Sequence, residues 1–286
     1  MKVIIDPRAG FCSGVRRVIR MAEEEVRAGR PLIALGELIH NHVEMDRLKK
    51  LGLQVADATI LQQPARSVRR LLIRAHGEPP ATYQKAREKG YEIVEGTCPI
   101  VIRSQKLARK YNQQGYQVVL VGKHGHPEVV GIQGHCDERC YVVSHVDEVE
   151  QVPANEKTFV LAQTTISAHL YLQVVEKLKQ RTGELVTRNT ICGFIAGRDR
   201  QISEFARSCD VIVMVGGRHS SNTRVLFQVC QQNNPRAYWI EHPDELHPEW
   251  FRTDDTVGIT GGASTPQWLM EKVRDHLLQL SDNPTS

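Results

Sequence analysis

Short apolar runs alternate with longer stretches of helical periodicity along the whole chain. Residues 2–6, 31–35, 71–74, 117–121, 158–162, 210–215 and 257–260 are rich in Val, Ile and Leu, which predicts strands. Between them, residues 14–28, 42–50, 81–89, 102–113, 168–181, 199–208 and 223–232 space their apolar positions as helices do. Strands and helices in alternation predict an α/β fold in which parallel sheets are covered by helices. The polar end, 281–286, predicts fraying.

The pattern repeats three times. Cys12, Cys98 and Cys192 lie 86 and 94 residues apart, and Gly36, Gly122 and Gly216, each closing an apolar run, have the same two spacings. Each glycine thus follows its cysteine by 24 residues. The turns that begin there are Gly36-Glu37-Leu38-Ile39-His40-Asn41-His42, Gly122-Lys123-His124-Gly125-His126-Pro127-Glu128 and Gly216-Gly217-Arg218-His219-Ser220-Ser221-Asn222. A second strand of each unit ends in Ala75-His76-Gly77, Gln163-Thr164-Thr165 and Gly261-Gly262-Ala263-Ser264. Three related α/β units account for these matches: 14–97, 98–190 and 191–278, preceded by an N-terminal strand and first cysteine in 1–13 and followed by a flexible tail, 279–286.

Ligands of open α/β sheets bind beyond the carboxyl ends of the strands, where loops and helix N-termini meet. Three units about a pseudo-threefold axis would direct three thiols, several imidazoles, hydroxyls, an amide and the carboxyl of Glu128 toward one centre. Three cysteines from separate units cannot form a contiguous zinc finger. They suit an iron–sulfur cluster, and a tetranuclear cluster held by three thiolates keeps one iron open for substrate. His40, His76, His126, Ser220, Asn222 and Ser264 form a donor-rich set suited to phosphate oxygens. Glu128 is the lone proton carrier among them, with Thr164 or Thr165 able to hold or relay a proton.

Composition narrows the partners. Charged residues make up 24% and the net charge is only +4, too small an excess to argue for nucleic acid. No apolar run approaches the roughly 20 residues of a membrane span, so none is expected. Asp6 and Pro7 stand where a secretory signal would be apolar, and seven cysteines are an odd number. Reduced thiols in the cytoplasm are therefore expected. Cys209 and Cys230 fall in apolar patterns and read as core. His135-Cys136-Asp137-Glu138-Arg139-Cys140 holds a C-x3-C pair beside a histidine; it could bind zinc but lacks a second pair at finger spacing.

The same residues resemble a known family. Gly10-Phe11-Cys12-Ser13-Gly14-Val15, His40-Asn41, Ala75-His76-Gly77, Gly96-Thr97-Cys98-Pro99, Gly125-His126-Pro127-Glu128-Val129, Gln163-Thr164-Thr165, Thr190-Ile191-Cys192, Ser220-Ser221-Asn222 and Gly262-Ala263-Ser264 are similar, in order, to motifs of the 4-hydroxy-3-methylbut-2-enyl diphosphate reductases of non-mevalonate isoprenoid biosynthesis. The resemblance implies a trefoil of three α/β units around an oxygen-sensitive 4Fe–4S cluster held by Cys12, Cys98 and Cys192, with one open iron. It implies that His40, His76, His126, Ser220, Ser221, Asn222 and Ser264 hold the diphosphate, and that Thr164 contacts the substrate near the proton donor Glu128. It further implies a ferredoxin or flavodoxin as electron donor, and isopentenyl and dimethylallyl diphosphate as products.

One stretch departs from the family pattern Cys-x-Ala-Thr-x-x-Arg-Gln. Here it reads Cys192-Gly193-Phe194-Ile195-Ala196-Gly197-Arg198-Asp199, keeping the arginine but replacing the alanine, threonine and glutamine. Changes beside a cluster can alter hydrogen bonding to sulfur and access to iron. They motivate an alternative: a divergent member that senses redox state or oxygen, or binds a phosphorylated metabolite, without this turnover.

Overall fold

The computed structural model describes residues 1–65, 67, 69–137 and 139–282. The end of the polar tail, 283–286, lies outside the described residues. Twelve strands among the described residues form three four-stranded, wholly parallel sheets.

The first sheet has the order β3-β2-β4-β5, from Gln54–Ala56, Leu32–Leu35, Arg70–Ile73 and Glu92–Glu95. The second runs β7-β6-β8-β9, from Cys140–Val143, Gln117–Val121, Asn155–Ala162 and Thr182–Arg188. The third runs β11-β10-β12-β1, from Ala237–Ile240, Val211–Val215, Thr256–Gly261 and Lys2–Ile5. The order is the same each time: the second strand of a unit at one edge, then the first, the third and the fourth. In the third sheet the fourth place is taken by β1, from the opposite end of the chain, with Lys2 to Ile5 in register with Thr256 to Ile259.

The central strands are apolar because both faces are covered. In β6, Val119 and Val121 join one core with Val160, Val174 and Leu178, while Val118 and Leu120 join another with Ala108, Ile132 and Phe159. In β10, Val211, Val213 and Val215 face one core and Ile212 and Met214 the other. A strand buried on both sides reads as a continuous run rather than an alternation. Cys209 and Cys230 belong to the second of the β10 cores, as their apolar context predicts.

Nine α-helices among the described residues connect these strands: α1 (Ser13–Arg27), α2 (His42–Lys50), α3 (Pro80–Glu88), α4 (Pro99–Gln113), α5 (Pro127–Gln133), α6 (Ala168–Lys179), α7 (Arg198–Arg207), α8 (Ser221–Asn233) and α9 (Gln267–Asp282). Because α9 runs to Asp282, residues 279–282 of the segment read as a tail are helical. None of the described helices is long and apolar enough to cross a membrane.

The chain divides into two compact bodies. The first comprises Met1–Arg20, Glu37–Gly52 and Gly197–Ser286 and contains the third sheet; the second comprises Met21–Gly36 and Leu53–Ala196 and contains the other two.

Candidate functional site

In the first body the predicted residues gather on loops at the carboxyl ends of β10 and β12. Ser220 caps α8, its Oγ accepting from the Thr223 amide at 3.2 Å, which leaves Ser221 and Asn222 in the first turn. Exposed amides and the helix dipole favour an anion at such an end. Asn222 and Ser264 are each 8% exposed, yet Asn222 Nδ2 and Ser264 Oγ have no hydrogen-bond partner in the protein. A buried, unpaired polar group costs roughly 1–3 kcal/mol, so two of them here mark a place prepared for an external acceptor. Thr223 Oγ1, also buried and unpaired, adds a third, which the sequence reading passed over although the residue directly follows Ser-Ser-Asn.

Gly216 and Gly217 make the turn possible. Gly216 has φ +151°, and a Cβ at Gly217 would stand 2.3 Å from the carbonyl oxygen of His40. That close approach packs the half-buried His40 turn against the loop leading to Ser220. Asn41 then caps α2, accepting from the Glu44 amide at 3.0 Å. The His42 and His219 rings meet edge to face at 5.7 Å. Cys12 is tied to the same loops: its amide donates to the Ala263 carbonyl at 3.2 Å, and its Sγ lies 3.5 Å from the Val15 amide.

Arg198, the arginine kept from the family pattern, is 3% exposed and ion-paired to buried Asp6 at 2.5 Å. Thr260 Oγ1 accepts from Arg198 at 3.2 Å and donates to Asp6 at 2.8 Å. Arg198 thereby locks the start of α7 to the ends of β1 and β12.

The second body carries a connected set. The Cys98 amide donates to the Ala75 carbonyl at 3.0 Å, which sets the cysteine beside the His76 turn at the head of α4. His76 meets His126 edge to face, ring centroids 5.4 Å apart. His126 caps α5 through Nδ1, which accepts from the Glu128 amide at 3.2 Å.

Glu128 is 2% exposed, and Thr164 grips both of its oxygens: the amide donates to Oε1 at 2.6 Å and Oγ1 to Oε2 at 2.7 Å. Burial raises the Glu128 carboxyl to about 7, partly offset by those two donors. It can therefore hold or release a proton near neutrality. Thr164 in turn accepts from the Cys192 amide through its carbonyl, at 2.9 Å. Thr165 is engaged elsewhere, accepting from Gln163 Nε2 at 2.8 Å, so Thr164 is the threonine coupled to the carboxyl.

The run after Cys192 makes a turn in which the Ile195 and Ala196 amides both donate to the Cys192 carbonyl at 2.8 Å. Backbone bonds close this turn, so it forms without the family's threonine, and Phe194 is 37% exposed on it. None of Cys12, Cys98 and Cys192 is in a disulfide, and all three are half-buried. Half-buried thiols held by backbone bonds at strand ends or helix starts are a donor set that suits thiophilic iron.

Comparison with known proteins agrees with the motifs. The family model for LytB protein matches residues 3–278. The 4-hydroxy-3-methylbut-2-enyl diphosphate reductase of Chlorobium phaeovibrioides is 36% identical over 310 residues, covering 97% of this chain and 98% of the relative. That of Caldanaerobacter subterraneus subsp. tengcongensis is 37% identical over 282 residues, covering 98% of each. A solved structure of (E)-4-hydroxy-3-methyl-but-2-enyl diphosphate reductase, the terminal enzyme of the non-mevalonate pathway, aligns with TM-score 0.73 at 35% identity over 98% of this chain and all of the other. The E-1-hydroxy-2-methyl-but-2-enyl-4-diphosphate reductase of Plasmodium falciparum aligns with TM-score 0.85 at 25% identity, covering 99% and 89%. Motif order, sheet plan and near-full-length similarity lead to one conclusion: the chain belongs to the LytB family of 4-hydroxy-3-methylbut-2-enyl diphosphate reductases.

Proposed function

We propose that the chain reduces 4-hydroxy-3-methylbut-2-enyl diphosphate to isopentenyl and dimethylallyl diphosphate. Two electrons and two protons enter, the allylic C–O bond breaks, and the oxygen leaves as water. Cys12, Cys98 and Cys192 would hold a 4Fe–4S cluster, which when bound supplies single electrons and a Lewis-acidic iron.

The protein's own groups divide the remaining work. Ser220, Ser221, Asn222 and Ser264 donate to the diphosphate oxygens, as do His40, His76 and His126, whose positions in the family motifs support that role. Their hydrogen bonds orient the substrate, and so donor-rich a set needs no magnesium to explain it. Glu128 supplies a proton from a carboxyl that burial raises to about 7, so that its acid form is well populated near neutrality. Thr164 fixes that carboxyl with one oxygen facing its hydroxyl, and the hydroxyl can pass the proton on. Electrons arrive from a ferredoxin or flavodoxin, in the cytoplasm.

The observation that carries this reading is the buried Glu128–Thr164 pair, joined through backbone bonds to Cys192 and through His126 to His76. Anaerobic turnover of the allylic diphosphate with reduced viologen tests it. Both isomeric products are expected; binding of the diphosphate without product would sink the proposal. Cys98→Ser should lose most of the bound iron, and full retention would remove Cys98 from the ligand set.

A further inference from the structure

The C-x3-C pair found in the sequence takes no part in the chemistry above, and the second body brings its two sulfurs together. Cys136 follows α5 by a short turn, its amide donating to the Gln133 carbonyl at 2.9 Å, and Cys140 opens β7 opposite Val118. Both side chains pack against the core that includes Val118, Val129 and Ile132, and the Cys136 thiol is near enough to raise the pKa of Cys140. Asn112 stakes the intervening loop: its Nδ2 donates to Asp137 Oδ1 at 2.7 Å, and its Oδ1 accepts from the Asp137 amide at 3.2 Å. Arg139 holds the same carboxylate, its amide donating at 3.0 Å and its guanidinium at 3.0 Å.

Zinc does not fit this arrangement. Among the described residues, no third His, Cys, Asp or Glu joins the two sulfurs in a group able to hold a metal ion. Structural zinc takes four ligands. Asp137, the nearest acid in sequence, has its oxygens committed to Asn112 and Arg139. Two neighbouring thiols on one apolar core, in a loop pinned at Asp137 and Arg139, are instead arranged for each other.

We propose that Cys136 and Cys140 form a reversible disulfide, a thiol-modification site separate from the three cysteines of the candidate centre. The oxidant is a low-molecular-weight disulfide. The Cys136 thiolate attacks one of its sulfurs, the S–S bond breaks, and one thiol leaves, with a mixed disulfide left on Cys136. Cys140 sulfur then attacks Cys136 Sγ and releases the second thiol. Two protein thiols lose two electrons and two protons, and the oxidant gains both as two thiols. Cys136 attacks first because its neighbour and burial hold the Cys140 thiol far above the ordinary thiol range. The product would tie the end of α5, the helix that starts with Pro127 and Glu128, to the edge strand of its sheet.

Trypsin makes the test direct, because Arg139 lies between the two cysteines and cleavage after it separates them into peptides 124–139 and 140–157. The full chain is equilibrated anaerobically with mixtures of oxidised and reduced glutathione, alkylated, digested and weighed. The expected result is a linked pair of these peptides that gives way to two separately alkylated peptides as reduced glutathione rises. Cys140→Ser should stop at a glutathione adduct on Cys136, whereas Cys136→Ser should leave Cys140 unmodified. Peptides that stay separately alkylated in fully oxidised glutathione would overturn the proposal, as would an adduct on wild-type Cys136 that never advances. Retention of one zinc per chain by these two thiols, blocking the linkage, would overturn it as well.

Discussion

Two regions of the molecule treat buried polar groups in opposite ways. At the start of α8 and the loop after β12, Asn222 and Ser264 are buried with donors that meet nothing in the protein. At the start of α5, Glu128 is equally buried, but Thr164 satisfies both of its oxygens. The first arrangement is costly until an acceptor arrives, and on the proposed function that cost is recovered as affinity for the diphosphate. The second is complete without a ligand, and what burial changes there is the ease of moving a proton. One region is prepared for a molecule to enter, the other for a bond to be made.

The largest effect that would sharpen this contrast is on chemistry. Glu128→Gln should cut turnover by roughly 10²–10⁴-fold while leaving the substrate KM close to wild type. Turnover near the wild-type level would show that the proton comes from elsewhere. In the wild-type protein, turnover should fall as pH rises through about 7, where the protonated carboxyl disappears; a pH–rate profile flat from 6 to 8 would contradict that.

The same carboxyl has a signature in stability. Its folded value is raised from 4.5 to about 7, so its contribution is fully present below about 4.5 and lost as pH climbs through 7. That shift corresponds to about 3 kcal/mol in the wild type, absent from Glu128→Gln, and denaturant titrations at pH 5 and pH 8 would measure it. Thr164→Val should destabilise the fold by about 2 kcal/mol, since it removes the hydroxyl donor from a buried acid and leaves the amide. Unchanged stability would mean that the hydroxyl bond contributes nothing.

The unpaired donors should move stability the other way. Asn222→Ala combined with Ser264→Ala should leave ligand-free unfolding unchanged or raise its free energy by about 1–3 kcal/mol, because no hydrogen bond within the protein is lost and two buried donors without partners are removed. The KM for the diphosphate should rise by about 10-fold or more, as expected when donors to a charged ligand are removed. A large loss of stability with unchanged KM would reverse the assignment.

Much of this was legible in the sequence, and what was missed has a physical cause. The strands predicted at 117–121 and 210–215 lie at or next to the observed β6 and β10, because a strand covered on both faces is uniformly apolar. The edge strands β3, β5 and β9 carry polar residues, as in Glu92-Ile93-Val94-Glu95, and leave no comparable run. The spacing of Cys12, Cys98 and Cys192 signalled the threefold plan, but spacing could not choose between Thr164 and Thr165. That choice depends on which hydroxyl reaches Glu128, a contact 36 residues away. Arg70 sits on β4 within 3.3 Å of Glu25 and 3.5 Å of Glu92, partners that no local pattern announces.

The N-terminal strand β1 has a consequence for how the protein is made. It is synthesised well before its sheet partner β12, since Lys2 stands in register with Thr256. Until residues 256–259 are made, Val3 and Ile5 have no neighbour in this sheet, and closing a loop of that length makes the pairing slow. A nascent polypeptide stalled before residue 256 would present an unpartnered sticky edge to chaperones.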